Sequence, residues 1–388
     1  MGTPNPEVLR WARETAGLSY EEAVSRLNIS GKTPVETLKA YEEGVKSPSR
    51  SRLLVMSKQY HRSYLTFFLR QPPTKVERGE DFRTLPDVEP GRYSGILDAL
   101  VRDIFVRQEL VKQALIESEE DRVITFVGDG AGMPNVEQAC FSIKEHFGIS
   151  VAIFRDQKDP HAAFNYLRSL VEKEGIYVLL MGDLGTHHSQ VSTEVFRGFA
   201  LSDELAPFIV VNNYDAKTAW SFTLLHELVH IWLGRTGISA QSHEHVIEKY
   251  CNDVASLILV SDSEIAELFA AVESQGGDIL INVSRVSALN NVSGSLVVYR
   301  LFRAGFIQET EWRSLKNQLR MLWLESRRAE KKKSKKNTGN YYATQRHKVG
   351  SGLLDVVKRS VGEGVLTETK AGRVLGVSSG SVTEMLGV

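Results

Sequence analysis

The sequence predicts a multidomain protein of the α+β class. Helix-start signals fill the first 72 residues, strand patterns alternate with helices in the middle, and helical periodicity continues after residue 261. A chain of 388 residues is long enough for two or three domains with sizeable cores. We therefore expect an all-α N-terminal domain, an α+β central domain and a helical C-terminal region.

Changes of pattern along the chain set the expected boundaries. Pro72-Pro73 ends the first helical block, and a lysine-rich run followed by Asn337 to Asn340 ends the last long one. The expected order is an N-terminal helical domain (1–72), a helical linker (73–120), an α+β domain (121–270), a helical extension (271–330), a basic linker (331–340) and a C-terminal helical tail (341–388).

The N-terminal block contains several helix-start signals. Ser19 and Glu22 form a capping-box pattern, and Thr33-Pro34 begins a third helix in the same way. With these helices the block resembles a lambda-repressor-type (XRE) helix-turn-helix domain. Two features depart from that family: the turn over 28–34 is long, and the expected recognition helix carries Glu36, Glu42 and Glu43 against Lys39 alone.

Two roles for residues 1–72 therefore stay open. If the module binds DNA, the candidate contacts are Arg10, Arg13, Arg50 and Arg52. Otherwise it is a helical module that recognises a partner protein or only packs; an acidic helix face would suit a basic partner better than DNA.

The central domain alternates strand and helix patterns. Apolar runs predict strands over 122–127, 149–154, 176–181, 195–201 and 207–212, and helical spacing predicts helices over 135–147 and 161–174. Strands that alternate with helices and are followed by a further helix over 221–233 indicate an α+β arrangement.

The most informative motif is His226-Glu227-Leu228-Val229-His230, within an apolar helix expected to end at Gly234. Histidines four apart lie on one helix face and reach one metal ion, and the intervening glutamate can act as a general base. Such five-residue patterns also occur by chance. Here three polar residues stand in an apolar helix, where buried polar groups need partners that a metal would supply.

A third protein ligand is expected from the next helix. Spacing alone leaves Glu244, Glu248 and Asp253 open, with Glu248 preferred because it shares a side with Cys251, Asn252 and Ala255.

Residues 222–230 and 248–255 resemble the ImmA/IrrE metallo-endopeptidases, in which a HExxH helix precedes a Glu-x-x-Ala-Asn-x-Phe-Ala helix. Cys251 replaces the usual alanine, Val254 the usual phenylalanine, and 259–261 departs from the usual Leu-Met-Pro. The resemblance also covers 196–200 and 208–212. It implies a zincin-like α+β peptidase domain over 121–270, with Zn²⁺ held by His226, His230 and Glu248.

The same resemblance implies that Glu227 assists the attack of a zinc-bound water on a peptide bond. The implied substrate is a protein, often an XRE-type DNA-binding repressor. The group that stabilises the oxyanion stays open among His243, His245, Tyr214 and Tyr250. The competing interpretation is a helix-turn-helix DNA-binding regulator, or the toxin component of a toxin–antitoxin pair, in which proteolysis is secondary or absent.

Three further motifs are predicted to carry no chemistry. The segment Gly128-Asp129-Gly130-Ala131-Gly132 lacks the spacing of a phosphate-binding loop and is expected to be a turn. His187-His188 is expected to be a loop pair, since adjacent residues of a regular element rarely chelate one ion. The run Lys331 to Lys336 is expected to be a solvated linker more than a phosphate contact.

The composition of the chain limits the classes of protein to which it can belong. The formal net charge is −1, so no global field attracts nucleic acid. The two cysteines, Cys140 and Cys251, provide no disulfide framework and are expected to be packed thiols. No run of 18 apolar residues occurs and the first residues lack a signal-peptide pattern, so we expect a cytoplasmic protein without a membrane partner.

Overall fold

A computed structural model describes residues 3–73, 92–185, 189–235, 244–275, 278–333 and 340–387. The side chains of 92–94, 244–245, 272–275 and 327–333 are outside this description. The chain forms two compact units: Met1–Ile104 with Asp183–Val195, and Phe105–Gly182 with Phe196–Val388. Among the described helices, none combines the length and the apolar character needed to cross a bilayer.

The first unit is built from short helices. They are α1 (Pro6–Thr15), α2 (Tyr20–Arg26), α3 (Pro34–Glu42), α4 (Arg50–Gln59), a 3₁₀ turn (Tyr64–Phe68) and the beginning of α5 (Arg92–Glu117). The predicted capping box of Ser19 and Glu22 forms at α2, whereas the Thr33 side chain makes no cap bond at α3. Leu9, Leu38 and Phe67 belong to its buried core.

One buried ion pair corrects the expected acidic face of α3. Glu42 is 2% exposed, and its carboxylate accepts hydrogen bonds from Arg13 Nε (2.8 Å) and Nη2 (2.9 Å). The Tyr20 hydroxyl donates a further bond to Glu42 (3.1 Å), and its ring lies under the Arg13 guanidinium. Glu42 can be buried because a cation lies beside it, so only Glu36 of α3 and Glu43, which follows the helix, are exposed.

The second unit contains the rest of α5, a three-stranded sheet and many helices. The helices before the sheet are α6 (Val136–Phe147), α7 (Val151–Arg155) and α8 (Pro160–Lys173). The strands are β1 (Tyr177–Leu180), β2 (Gly198–Leu201) and β3 (Phe208–Val211), in the order β1-β3-β2. Strand β1 is parallel to β3, whereas β2 is antiparallel to it, with Gly198 opposite Val211.

Helices follow the sheet to the C-terminal end of the described chain. They are α9 (Lys217–Trp232), α10 (Glu244–Leu259), α11 (Asp262–Gln275), α12 (Ile279–Leu289), α13 (Gly294–Arg303), α14 (Glu309–Lys333), α15 (Tyr341–Val349), α16 (Ser351–Gly362), α17 (Glu368–Leu375) and α18 (Val382–Leu386). The expected α+β class is confirmed, and the described chain is mostly helical with a small three-stranded mixed sheet.

Two predicted strands are wrong. Residues 122–127 run through an irregular stretch into consecutive turns, with Val123 52% exposed and Phe126 buried, so no alternating face is formed. Residues 149–154 contribute instead to α7, because the Ser150 hydroxyl caps a helix by accepting from Ile153 N (3.4 Å). His187, His188 and the side chains of the basic run at 331–336 lie outside the described residues.

A buried ion pair holds the α15–α16 junction in the second unit. Arg168 Nε donates to Glu172 Oε1 (2.9 Å), and the same guanidinium donates to the carbonyls of His347 and Lys348. Glu172 Oε2 accepts from the Ser351 hydroxyl (2.8 Å). Both charged groups are thus satisfied by the backbone and side chains they connect.

Candidate metal centre

Helix α9 carries the two histidines close to its C-terminal end. Leu224, Leu225, Leu228, Val229 and Ile231 are fully buried, which agrees with the apolar composition that predicts a helix surrounded by other elements. The helix is followed by Gly234 in the left-handed conformation (φ 67°), where glycine carries no steric cost.

The turn over Gly128 to Gly132 packs against the C-terminal end of α9. Gly130 N donates to the Trp232 carbonyl (2.8 Å), an acceptor that the helix end leaves without a helical partner. Gly128 N donates to the Ile231 carbonyl (3.2 Å), which also accepts from Gly234 N (2.9 Å). A Cβ at Gly130 would overlap the Trp232 ring. The expectation that Gly128 to Gly132 forms a turn is confirmed, and the absence of a side chain at Gly130 permits close packing on α9.

Two imidazoles and one carboxylate form a compact triangle between α9 and α10. His226 Nε2 and His230 Nε2 are 3.2 Å apart, His226 Nε2 is 3.2 Å from Glu248 Oε2, and His230 Nε2 is 3.2 Å from Glu248 Oε1. Within the described residues, these three are the group whose ligand atoms all lie within 4.8 Å of one another.

The triangle fits a zinc ion. Tetrahedral coordination with bonds of about 2.0–2.1 Å places ligand atoms roughly 3.3 Å apart, close to the spacing found here. Two imidazole nitrogens and one carboxylate oxygen are also a usual ligand set for zinc with an open fourth position. The donors and their spacing therefore suit the metal that the motif predicts.

Of the three glutamate and aspartate positions left open by spacing, the structure brings Glu248 to the histidines. Asp253 instead accepts from Arg303 Nε and Nη2 (both 2.6 Å) and from the Tyr299 hydroxyl (2.7 Å) of α13. The side chain of Glu244 is not among those described. Asp253 thus ties α10 to α13 rather than facing the histidines.

Glu227 lies beside the ligands and is 6% exposed. A Cβ built on Gly198 would be 2.9 Å from Glu227 Oε1 and 2.5 Å from Thr223 Cγ2, so the carboxylate lies directly against the first residue of β2. Burial raises the pKa of Glu227, the nearby histidines counteract that rise, and the negative charge of Glu248 adds to it. A carboxylate with a raised pKa is a stronger proton acceptor.

The contact between the three candidate ligands shifts the pKa values of Glu248 and His226. Burial would raise the pKa of Glu248, but hydrogen bonds with His226 and His230 hold it far below its usual range. Burial would lower the pKa of His226, yet the hydrogen bond with Glu248 and the charge of Glu227 raise it. The contact therefore favours an ionised Glu248 carboxylate, which is the form that binds a metal, while the His226 imidazole must release any proton before it can bind one.

Of the four candidates for the oxyanion-stabilising group, Tyr214 and Tyr250 are among the described side chains. The Tyr250 hydroxyl donates to the Pro134 carbonyl (2.8 Å), Tyr214 N donates to Asn212 Oδ1 (3.0 Å), and His243 and the His245 side chain are outside the description. Both cysteines are buried and free, as expected; Cys140 Sγ lies 3.4 Å from the Val254 carbonyl.

The four arginines proposed for DNA divide into two kinds. Arg10 and Arg50 are exposed, although Arg10 Nη2 donates to the Glu42 carbonyl (3.2 Å). Arg13 is 6% exposed in its ion pair, and Arg52 Nη1 donates to the Leu27 carbonyl at the end of α2. Arg13 and Arg52 thus have structural bonds within the first unit.

Sequence reasoning missed two contributors to the site. Gly198 was expected as part of a strand and of the family resemblance over 196–200, without a role at the site, and Asp253 was expected as a possible ligand. A signal for the first existed, since a glycine at the start of an apolar strand marks a close approach. The pairing of Asp253 with Arg303 has no local signal, because fifty residues separate the partners.

Comparison with protein families gives one match. Residues 171–302 match the family model of the IrrE N-terminal-like domain, which is a peptidase family. The matched range includes the sheet, α9 and α10, and thus every residue of the triangle. The match supports a metallopeptidase-type function and implies a metal cofactor. No curated protein and no solved structure shows significant similarity to the chain.

Proposed function

We propose that the protein is a zinc-dependent endopeptidase that cleaves a protein substrate. The observation that carries this proposal is the grouping of His226 Nε2, His230 Nε2 and the Glu248 carboxylate beside the buried carboxylate of Glu227. The two nitrogens are 3.2 Å apart, and each lies 3.2 Å from a different oxygen of Glu248. His226, His230 and Glu248 would hold the ion. When bound, zinc would polarise a peptide carbonyl and increase the acidity of water.

Glu227, Gly198 and the hydrophobic residues around α9 have the other proposed roles. Glu227 accepts a proton from the attacking water and returns it to the leaving amine, a role for which its raised pKa is suited. Gly198 leaves room for that carboxylate at the edge of β2. The hydrophobic residues around α9 limit the access of bulk water to Glu227, which strengthens its electrostatic interactions.

For the substrate, we propose a small DNA-binding repressor of the XRE type, recognised with the help of an N-terminal helix-turn-helix module formed by α1–α4. A docking module would raise the local concentration of the scissile segment at the site. The exposed Arg10 and Arg50 are compatible with a second role for this module, contact with DNA phosphates.

The metal centre is tested by elemental analysis of purified variants. We expect about one zinc per wild-type chain, and loss of zinc in His226→Ala, His230→Ala and Glu248→Ala. Glu227→Gln should retain zinc but lose peptidase activity, because the amide removes the base without removing a ligand. Full zinc occupancy in His230→Ala would exclude the proposed site.

The role of the first unit is tested with duplex DNA and full-length protein. If the module contacts phosphates, Arg10→Ala and Arg50→Ala should each weaken binding and reduce the salt dependence by roughly one ion. Unchanged binding in both variants would favour a protein-docking role, which capture of the substrate by Glu227→Gln would then reveal.

A further inference from the structure

The last helices of the chain, over residues 368–386, have the arrangement of a helix-turn-helix motif. The Thr367 hydroxyl caps α17, and the helix ends at Gly376 in the left-handed conformation (φ 71°). The chain then turns into a 3₁₀ segment (Ser379–Ser381) that continues directly into α18. We call residues 368–386 the C-terminal motif and residues 379–386 its second helix.

The two helices of the C-terminal motif approach each other closely. A Cβ built on Gly372 would lie 2.8 Å from the Val377 carbonyl oxygen, so the turn can lie against α17 only at a residue without a side chain. Val382 and Met385, three residues apart, are buried and form the inner face of the second helix. The outer face of that helix is therefore the one that a ligand could contact.

Hydrogen bonds from two other helices hold the C-terminal motif in place within the second unit. Arg107 Nη1 of α5 donates to the Val374 carbonyl (3.1 Å), and Arg346 Nε of α15 donates to the Met385 carbonyl (2.8 Å). Both carbonyls belong to the last turn of their helices, where partners from outside the helix are needed. The outer face of the second helix thus has a defined position.

Short polar side chains cover this outer face. Ser379, Gly380, Thr383 and Glu384 are exposed. Among the described residues after Tyr341, no large hydrophobic side chain is exposed, so the face lacks the apolar centre typical of contacts between proteins. Hydroxyl and carboxylate groups are instead able to bond to the phosphates and base edges of nucleic acid.

The tail that contains the C-terminal motif is strongly basic, although the whole chain is not. Residues 331–388 contain eleven lysines and arginines against four acidic residues, a formal net charge of +7, whereas the whole chain has −1. Five of these cations belong to the run at 331–336, whose charge attracts a polyanion even without a fixed contact. This asymmetry favours nucleic acid as the ligand of the tail.

A lysine of the first helix borders the same surface as the second helix. An open groove of about 460 Å³ lies between α5 and the C-terminal motif. Because Lys370 and Ser379 both line it, a phosphate backbone that contacts the second helix would pass within reach of that ammonium. The complete lining is formed by Leu110, Thr369, Lys370, Arg373, Val377 and Ser379.

We propose that the C-terminal motif binds duplex DNA, with its second helix in the major groove and Lys370 on the phosphate backbone. Ser379, Thr383 and Glu384 read the base edges, since hydroxyls bond to several bases and a carboxylate accepts from the amino group of cytosine. This DNA site goes beyond the proposed peptidase function. It is also separate from the contacts proposed for α1–α4, because it belongs to the second unit.

The first experiment selects DNA from a randomised duplex library with full-length protein. We expect a base sequence to be enriched. Thr383→Ala should reduce the discrimination at one base pair by about fivefold or more, because one base contact is lost. The double variant Arg10→Ala, Arg50→Ala should select the same sequence as the wild type, since both arginines belong to the first unit.

The second experiment compares two variants with the same added charge. Gly380→Glu places a carboxylate on the outer face of the second helix, and Gly362→Glu places one at the end of α16. Nothing lies within 4 Å of a Cβ at either position, so both variants should fold, which equal Tm values would verify. Affinity for the selected duplex, measured by fluorescence anisotropy, should fall about tenfold or more in Gly380→Glu and less than about twofold in Gly362→Glu.

A third measurement tests the phosphate contact. Lys370→Ala should weaken binding to the selected duplex and to random duplex alike, because phosphates carry no sequence information. The slope of log affinity against log salt should decrease by about one. An unchanged slope would exclude Lys370 from the phosphate backbone.

The remaining outcomes decide whether the motif binds DNA at all. Equal affinities of Gly380→Glu and Gly362→Glu would overturn the proposal, and so would loss of the selected sequence in the Arg10→Ala, Arg50→Ala double variant, which would assign DNA to the first unit. No retention of duplex by the wild type at low salt, combined with a protein crosslinked through a photoreactive residue at position 380, would assign the face to a protein partner. None of these results bears on zinc content or peptide cleavage, so the peptidase proposal is tested independently.

Discussion

At the scale of single residues, the site depends on the small residue Gly198 as well as on the candidate metal ligands. Glu227 can lie against β2 only because Gly198 has no side chain there. The base is therefore positioned by contact with a strand, while the ligands are positioned by the spacing of α9 and by Glu248 from α10.

Gly198→Ala tests this contact. The added Cβ would lie 2.9 Å from Glu227 Oε1 and 2.5 Å from Thr223 Cγ2, so the carboxylate must shift. We expect zinc to be retained, stability to fall by about 1 kcal/mol and kcat/KM to fall by about tenfold or more. Gly132→Ala is the control, because nothing lies within 4 Å of a Cβ there. Equal activity of both variants would show that the carboxylate position is not critical.

At the scale of elements, the position of α10 is fixed both by hydrophobic packing and by the bonds of Asp253 with α13. Asp253 is 6% exposed and is bonded to both Tyr299 and Arg303 of α13. Since Glu248 lies five residues earlier on the same helix, a shift of α10 would move the third ligand relative to α9.

Asp253→Asn should reveal this coupling. The substitution weakens two hydrogen bonds with Arg303, and we expect a loss of about 2 kcal/mol in the free energy of unfolding. Zinc affinity, measured by competition with a chelator, should weaken about tenfold. Glu309→Gln removes the acid of the exposed Arg313 pair and should change neither quantity. Loss of stability with unchanged zinc affinity would make Asp253 a structural residue only.

The limits of sequence-based prediction are clearest at these two scales. Helical spacing predicts α9 and α10, and the local positions of His226, His230 and Glu248 then follow from 3.6 residues per turn. The strands predicted at 122–127 and 149–154 are wrong, because short apolar runs do not separate strand from turn or helix. The burial of Glu42 with Arg13 depends on a partner from another helix, which no local pattern of α3 contains.

At the scale of the whole molecule, the C-terminal helices belong to the same compact unit as the proposed peptidase domain. His161 of α8 and His347 of α15 approach with 2.7 Å between their Nε2 atoms. Burial, followed by the positive charges of Arg168, His161 and Lys217, lowers the pKa of His347 from 6.5 to about 4. Burial and Lys217 also lower the pKa of His161, against the opposing charge of Asp159.

This histidine pair predicts a loss of stability in acid. Between pH of about 6.5 and about 4 the unfolded chain binds more protons at His347 than the folded chain does. Stability therefore rises with pH through this window and is lost on acidification. We expect His347→Gln to flatten the decrease in Tm between these pH values, as measured by thermal unfolding. Parallel Tm profiles for the variant and the wild type would exclude this contribution.

The turn formed by Gly128 to Gly132 should keep the C-terminal end of α9 folded before any ion binds. Because its amides hold the carbonyls of Ile231 and Trp232, fraying of the helix end beyond His230 requires breaking contacts with a separate chain segment. The amides of Gly128 and Gly130 should then exchange slowly with deuterium even in metal-free protein. Little conformational entropy would remain to be lost on coordination, so the binding heat should report the chemistry of the ligands rather than the folding of a helix.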